Sequence, residues 1–61
     1  MTFKFATIKA NSKVLFDGED TEVELNRYFR NALYSPITGD RVLFLYDEIS
    51  KVYILQGKVV K

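Results

Sequence analysis

Apolar and polar residues alternate with period two through most of this chain, the spacing that predicts strands. Phe3 and Phe5 alternate with Lys4, and the run continues through Ala6-Thr7-Ile8 to Lys9 as an opening strand with one apolar face. Asn11-Ser12 supplies a turn. Lys13-Val14-Leu15-Phe16 is then a short β-rich run closed by Asp17-Gly18, a tight-turn dipeptide. From Thr21, the segment Glu22-Val23-Glu24-Leu25-Asn26 alternates again and directs Val23 and Leu25 inward. Arg41 to Tyr46 and Lys51 to Leu55 are two further strands, joined as a hairpin by the polar residues Asp47 to Ser50. Gln56-Gly57 bends or bulges the last strand before Lys58 to Val60 resumes it.

One segment follows a different spacing. Asn26 is a suitable helix cap, and Tyr28, Phe29, Ala32 and Leu33 recur at helical intervals. Pro36 and Gly39 bracket the loop that follows, and Ser35 before Pro36 disfavours helical geometry, so any helix ends by about Leu33. The sum is an all-β chain forming one domain over residues 1–61. The expected architecture is a small five-stranded barrel, OB-like with an SH3-like barrel as the close alternative, and one short helical turn between strands 3 and 4.

Composition narrows the picture. The chain has 61 residues, 48% hydrophobic and 15% aromatic, too apolar and too evenly charged for disorder. A chain of this length buries only about 60% of the surface its unfolded form exposes, and it has no cysteine to staple it, so association with copies of itself or a larger assembly is expected. The formal net charge of +1 supplies no bulk field toward a phosphate backbone. The longest apolar run, Val42 to Tyr46, is far below a membrane span, and the N-terminus lacks a basic region ahead of an apolar one; a soluble, unsecreted chain is the expectation.

Candidate chemistry is sparse. The sequence contains no His and no Cys; Ser12, Ser35 and Ser50 stand in turn contexts without a base, and no glycine-rich phosphate loop is present. Asp17, Glu19, Asp20, Glu22 and Glu24 read as a solvated loop and strand face rather than as an acid/base pair, and they lack the spacing of a calcium loop. No enzyme, cofactor or metal site is expected. Rings and cations do concentrate in one place, and Arg27, Tyr28, Phe29, Arg30, Leu33, Tyr34 and Tyr46 form the candidate protein interface. The alternative reads Arg27, Tyr28, Arg30 and Tyr34 as contacts to single-stranded nucleic acid. Against it stands the negative field of Asp17 to Glu24, with Phe29 and one tyrosine plugging the barrel end. Both faces of Val42-Leu43-Phe44-Leu45-Tyr46 are apolar, so one of them docks on a partner unless the chain covers it itself.

Gly39-Asp40-Arg41-Val42-Leu43-Phe44-Leu45, followed after the hairpin by Val52-Tyr53-Ile54-Leu55-Gln56-Gly57-Lys58-Val59, resembles small β-barrel structural proteins and modules of tailed bacteriophages. Val14-Leu15-Phe16-Asp17-Gly18-Glu19 is similar to their N-terminal element, while Gln56 before Gly57 and the segment Arg27 to Leu33 depart from the pattern. The resemblance implies a building block of a tail tip or baseplate, a virion component assembled in the host cytoplasm, with protein partners and no catalytic residue.

Overall fold

The computed structural model describes residues 2–60. The chain runs β1 (Thr2–Lys9), β2 (Lys13–Phe16), β3 (Val23–Glu24), a 3-10 turn (Leu25–Arg27), β4 (Phe29–Arg30), β5 (Arg41–Asp47) and β6 (Val52–Lys58). All six strands belong to one sheet in the order β3-β2-β1-β5-β6-β4. Every neighbouring pair is antiparallel except β4 with β6, which is parallel.

The order of the sheet forces it to curl. Strands β3 and β4 lie at its two opposite edges, yet only Leu25 to Tyr28 separate them in sequence. Five Cα steps reach at most ~19 Å, less where the turn is 3-10, whereas the edge strands of a flat six-stranded sheet stand ~24 Å apart. A short connection therefore draws the two edges together and rolls the sheet into a half-barrel.

The concave side carries the core. Ala6 and Ile8 from β1, Val14 and Phe16 from β2, Leu25 from the turn, Val42 and Phe44 from β5 and Leu55 from β6 are buried together. Phe16 packs against Phe44 with ring centroids 4.9 Å apart, and Tyr28 meets both edge-on at 5.8 and 5.7 Å. Tyr53 extends the cluster toward Tyr46, at 4.8 Å. Lys4 closes this end, its ammonium 5.6 Å from the Phe16 ring and 5.7 Å from Tyr53.

Several expectations change in detail. The third strand is two residues long, and the helical turn expected between strands 3 and 4 is present as a 3-10 turn at Leu25–Arg27, which overlaps the Asn26 to Leu33 window only at Asn26 and Arg27. Glu24, not Asn26, occupies the N-cap position, and it makes no side-chain cap bond. Residues 29–30 are extended because they pair with Ile54 and Leu55, whose backbone edge needs partners. Period two then replaces helical period: Tyr28 turns inward, while Phe29 and Leu33 are 66% and 95% exposed. The sheet thus has six strands rather than five, the additional one being β4. The opening strand also has two apolar faces, because Ala6 and Ile8 differ in parity from Phe3 and Phe5.

The bulge anticipated at Gln56-Gly57 is present. Phe44 pairs with Leu55 and Leu43 with Gly57, so Gln56 has no partner across the ladder, and Gly57 takes φ 152°, which a side chain disfavours. At the first hairpin, Asn11 and Ser12 take φ of 64° and 58°. Asn tolerates that region, but a serine there carries a left-handed cost of ~1–2 kcal/mol against an entropic cost of ~0.5–1 kcal/mol for glycine. Ser12→Gly is therefore expected to stabilise the chain by roughly 0.5–1 kcal/mol, and a lower urea midpoint for the variant would contradict this turn geometry.

Candidate interaction surface

The convex side of the sheet is built from the odd residues of β1 and β5. Phe3 pairs with Leu45, Leu45 with Ile54, and Ile54 with Phe29, so one apolar row crosses four strands. Directly opposed residues share a face, which puts these four side chains side by side. A second row runs from Phe5 to Leu43 and ends at Gly57. Phe3 is 64% exposed, Phe5 48% and Phe29 66%, while Leu43, Leu45 and Ile54 are half-buried beneath them. Of the two apolar faces of Val42 to Tyr46, Val42 and Phe44 are fully buried in the concave core and Leu43 and Leu45 belong to this convex row.

Charge at the border of this surface is neutralised in pairs. Arg41 donates from Nη1 to Asp17 Oδ1 at 2.6 Å and from Nη2 to Oδ2 at 2.8 Å, and from Nη1 to Thr7 Oγ1 at 3.1 Å. The guanidinium lies 5.9 Å from the Phe5 ring, and its hydrogen bonds hold the Asp17 carboxyl below the ordinary carboxylate range. Two further acids of this segment are also paired: Glu19 lies 3.9 Å from Lys4, and Glu24 accepts from Lys13 at 3.3 Å. Among the described residues no group of three or more metal-ligating side chains occurs, and no helix is long and apolar enough to cross a membrane.

The seven residues read from the sequence as an interface do not share one surface. Phe29 extends the convex row. Tyr28 is packed inward on Phe16, Phe44 and Tyr53, and Tyr46 is stacked on Tyr53. Arg27 and Arg30 are exposed along the joint between β3 and β4, and Leu33 projects from the following loop. The tyrosine that plugs the core is Tyr28, while Phe29 points outward. Phe3, Phe5 and Ile54 are the convex residues the pattern left unassigned; the parity change between Phe5 and Ala6 is the signal that marks the first two.

Tyr34 has a structural task. Its hydroxyl donates to Asp40 Oδ2 at 2.6 Å, and the Ile37 N–H donates to the same oxygen at 3.3 Å. Lys58 Nζ lies 3.5 Å from Oδ1, and Asp40 itself is only 8% exposed. Asp40 thereby ties the loop of residues 31–40 to the end of β6. The Tyr34 hydroxyl, Lys58 and the Ile37 N–H hold the Asp40 carboxyl below its ordinary value of 3.8, while burial and the adjacent Asp40 push Tyr34 up to about 12. The lowered Asp40 contributes stability above its unfolded value, lost as pH falls below about 4; the raised Tyr34 contributes below pH 10, lost as pH rises through about 12. Tyr34→Phe is expected to lower the thermal midpoint at pH 7 by roughly 5–10 °C and to move the Asp40 titration upward in NMR. An unchanged midpoint and an unmoved titration would remove this contact from the fold.

Comparison of the chain with protein-family models, with curated proteins and with solved structures gives no match in any of the three.

Proposed function

We propose that this chain is a non-enzymatic structural module that associates with further copies of itself through the convex face of β1, β5, β6 and β4. The observation that carries the reading is the exposed row Phe3, Leu45, Ile54 and Phe29, backed by Phe5 and Leu43. Exposed apolar patches of several hundred Å² mark interaction sites on soluble domains. A second copy fits the face because its bordering charges, Arg41 and Asp17, already neutralise each other, so two such faces meet without net repulsion. The outer face of β1, β5 and β6, with the two-residue β4 beside them, has a flat footprint of roughly 14 by 23 Å plus about 5 by 7 Å, or ~360 Å². That is smaller than the ~800 Å² per partner of a standard interface, which makes the association weak and concentration-dependent.

In finer terms, we propose an OB-type barrel. Counting β3, the 3-10 turn and β4 as one interrupted third strand gives five strands, with the third meeting both the second and the last, as a partly open Greek-key barrel requires. The parallel pair β4 with β6 favours this over an SH3-like arrangement. The resemblance of the Gly39 to Leu45 and Val52 to Val59 segments supports use as a tail-tip or baseplate component of a tailed phage. Those segments form β5 and the bulged β6, half of the proposed association face. Light scattering from about 10 µM to 1 mM tests the reading: a mass rising toward the dimer or beyond is expected, and a strictly monomeric chain at 1 mM would overturn it.

A further inference from the structure

A second surface runs along the joint where the curled sheet closes. Three shallow depressions follow one another there. The first, about 250 Å³, is lined by Lys9, Ser12, Asn26 and Arg30 with apolar neighbours. The second, about 300 Å³, shares Leu25, Asn26 and Arg30 with it, and the third, about 160 Å³, shares Tyr28 with the second and adds Arg27, Phe29 and Lys51. No carboxylate lines any of the three.

The chain's ion pairs explain why this track is positive in a protein of net charge +1. Lys4, Lys13, Arg41 and Lys58 are matched to Glu19, Glu24, Asp17 and Asp40. Among the described residues, Lys9, Arg27, Arg30 and Lys51 have no acidic partner, and all four line the track. The acids at Asp17, Glu19 and Glu24, which in sequence crowd this segment, are spent on cations of β5, β1 and β2. The single ring open to solvent in the track, Phe29, stands beside Arg27 and Lys51 at one end.

We propose that this track binds single-stranded nucleic acid, with phosphates on Lys9, Arg30, Arg27 and Lys51 and a base stacked on Phe29. A flexible polyanion fits a run of shallow depressions with spaced cations, and an exposed ring beside arginine is a stacking platform for a base. The cations of the track lie apart from the apolar rows at Leu43 and Leu45, whereas Phe29 belongs to both surfaces, so a second copy and a stacked base compete for that ring.

The test is fluorescence anisotropy of a labelled thymidine 20-mer. Four phosphate contacts give a slope of about −3 in log affinity against log salt, a loss of roughly 50-fold between 50 and 200 mM. The double variant Lys9→Glu and Arg30→Glu should weaken binding at least tenfold and halve that slope, and Arg27→Glu with Lys51→Glu should do the same. Lys4→Glu, half that change of charge at the far end of β1, should change affinity less than threefold; Leu45→Glu should retain binding even where it abolishes association. No binding at 20 mM salt overturns the proposal, as does equal loss in the Lys4→Glu variant. Equal affinity for a 20-base-pair duplex or for polyglutamate overturns it too, since either would show attraction to charge alone. Circular dichroism of each variant separates lost binding from lost fold.

Discussion

Phe44→Ala is expected to leave most molecules unfolded at 25 °C. Phe44 is fully buried at the middle of the concave core, in ring contact with Phe16 and Tyr28, and its strand is paired on both sides by β1 and β6. Truncating a buried phenylalanine costs about 3–5 kcal/mol, the lost transfer energy plus the cavity left behind. An unstapled core in a chain below 70 residues rarely supplies more than ~3–5 kcal/mol in total, so one substitution consumes the margin. Leu33→Ala provides the comparison: Leu33 is 95% exposed, and the change should stay within ~0.5 kcal/mol. Urea unfolding followed by circular dichroism reads both; a Phe44→Ala chain with the wild-type midpoint would mean that the core lies elsewhere.

The second large effect concerns the convex face. Leu45 sits between Phe3 and Ile54 in the apolar row, half-buried in the free chain and enclosed once a second copy covers the row. Leu45→Glu puts a carboxylate there with no cation beside it, and an unpaired charge in a covered interface costs several kcal/mol. Dissociation should therefore become at least 100-fold easier, since each ~1.4 kcal/mol is a factor of ten. The fold should survive, because Leu45 faces away from Val42, Phe44 and Leu55. Sedimentation at matched concentrations reads the mass, and amide NMR dispersion reads the fold. A Leu45→Glu chain that associates as strongly as the wild type would move the contact to another face.

The two variants together show how differently the sequence spoke about strands and about surfaces. Lys13 to Phe16 and the β5–β6 hairpin were legible because period-two patterns and turn residues are local signals, and the Gln56-Gly57 bulge was legible because a glycine interrupts an apolar run. The segment at residues 25–33 was legible only as a short helical turn. Its helical spacing of Tyr28, Phe29, Ala32 and Leu33 is a weak local preference, and the unsatisfied edge of β6 at Ile54 and Leu55 overrode it by drawing Phe29 and Arg30 into a ladder. The candidate interface split for the same reason. Adjacent residues in an extended segment face opposite ways, so Tyr28 entered the core and Phe29 the convex face.

By itself, then, the sequence determined an all-β chain, its four main strands, the turns at Asn11-Ser12 and Asp17-Gly18, and an apolar excess at Val42 to Tyr46 that one core face could not absorb. The tertiary structure decided which residues share a face. That choice depends on register between strands far apart in sequence: Phe3 meets Leu45 because β1 pairs with β5, and Phe29 meets Ile54 because β4, four residues after β3, pairs with β6 at the opposite edge of the rolled sheet. The same closure lines up Lys9, Arg30, Arg27 and Lys51, while Asp17, Glu19 and Glu24 pair with other cations. Pairing between distant strands is a property of the closed sheet, and no local pattern encodes it.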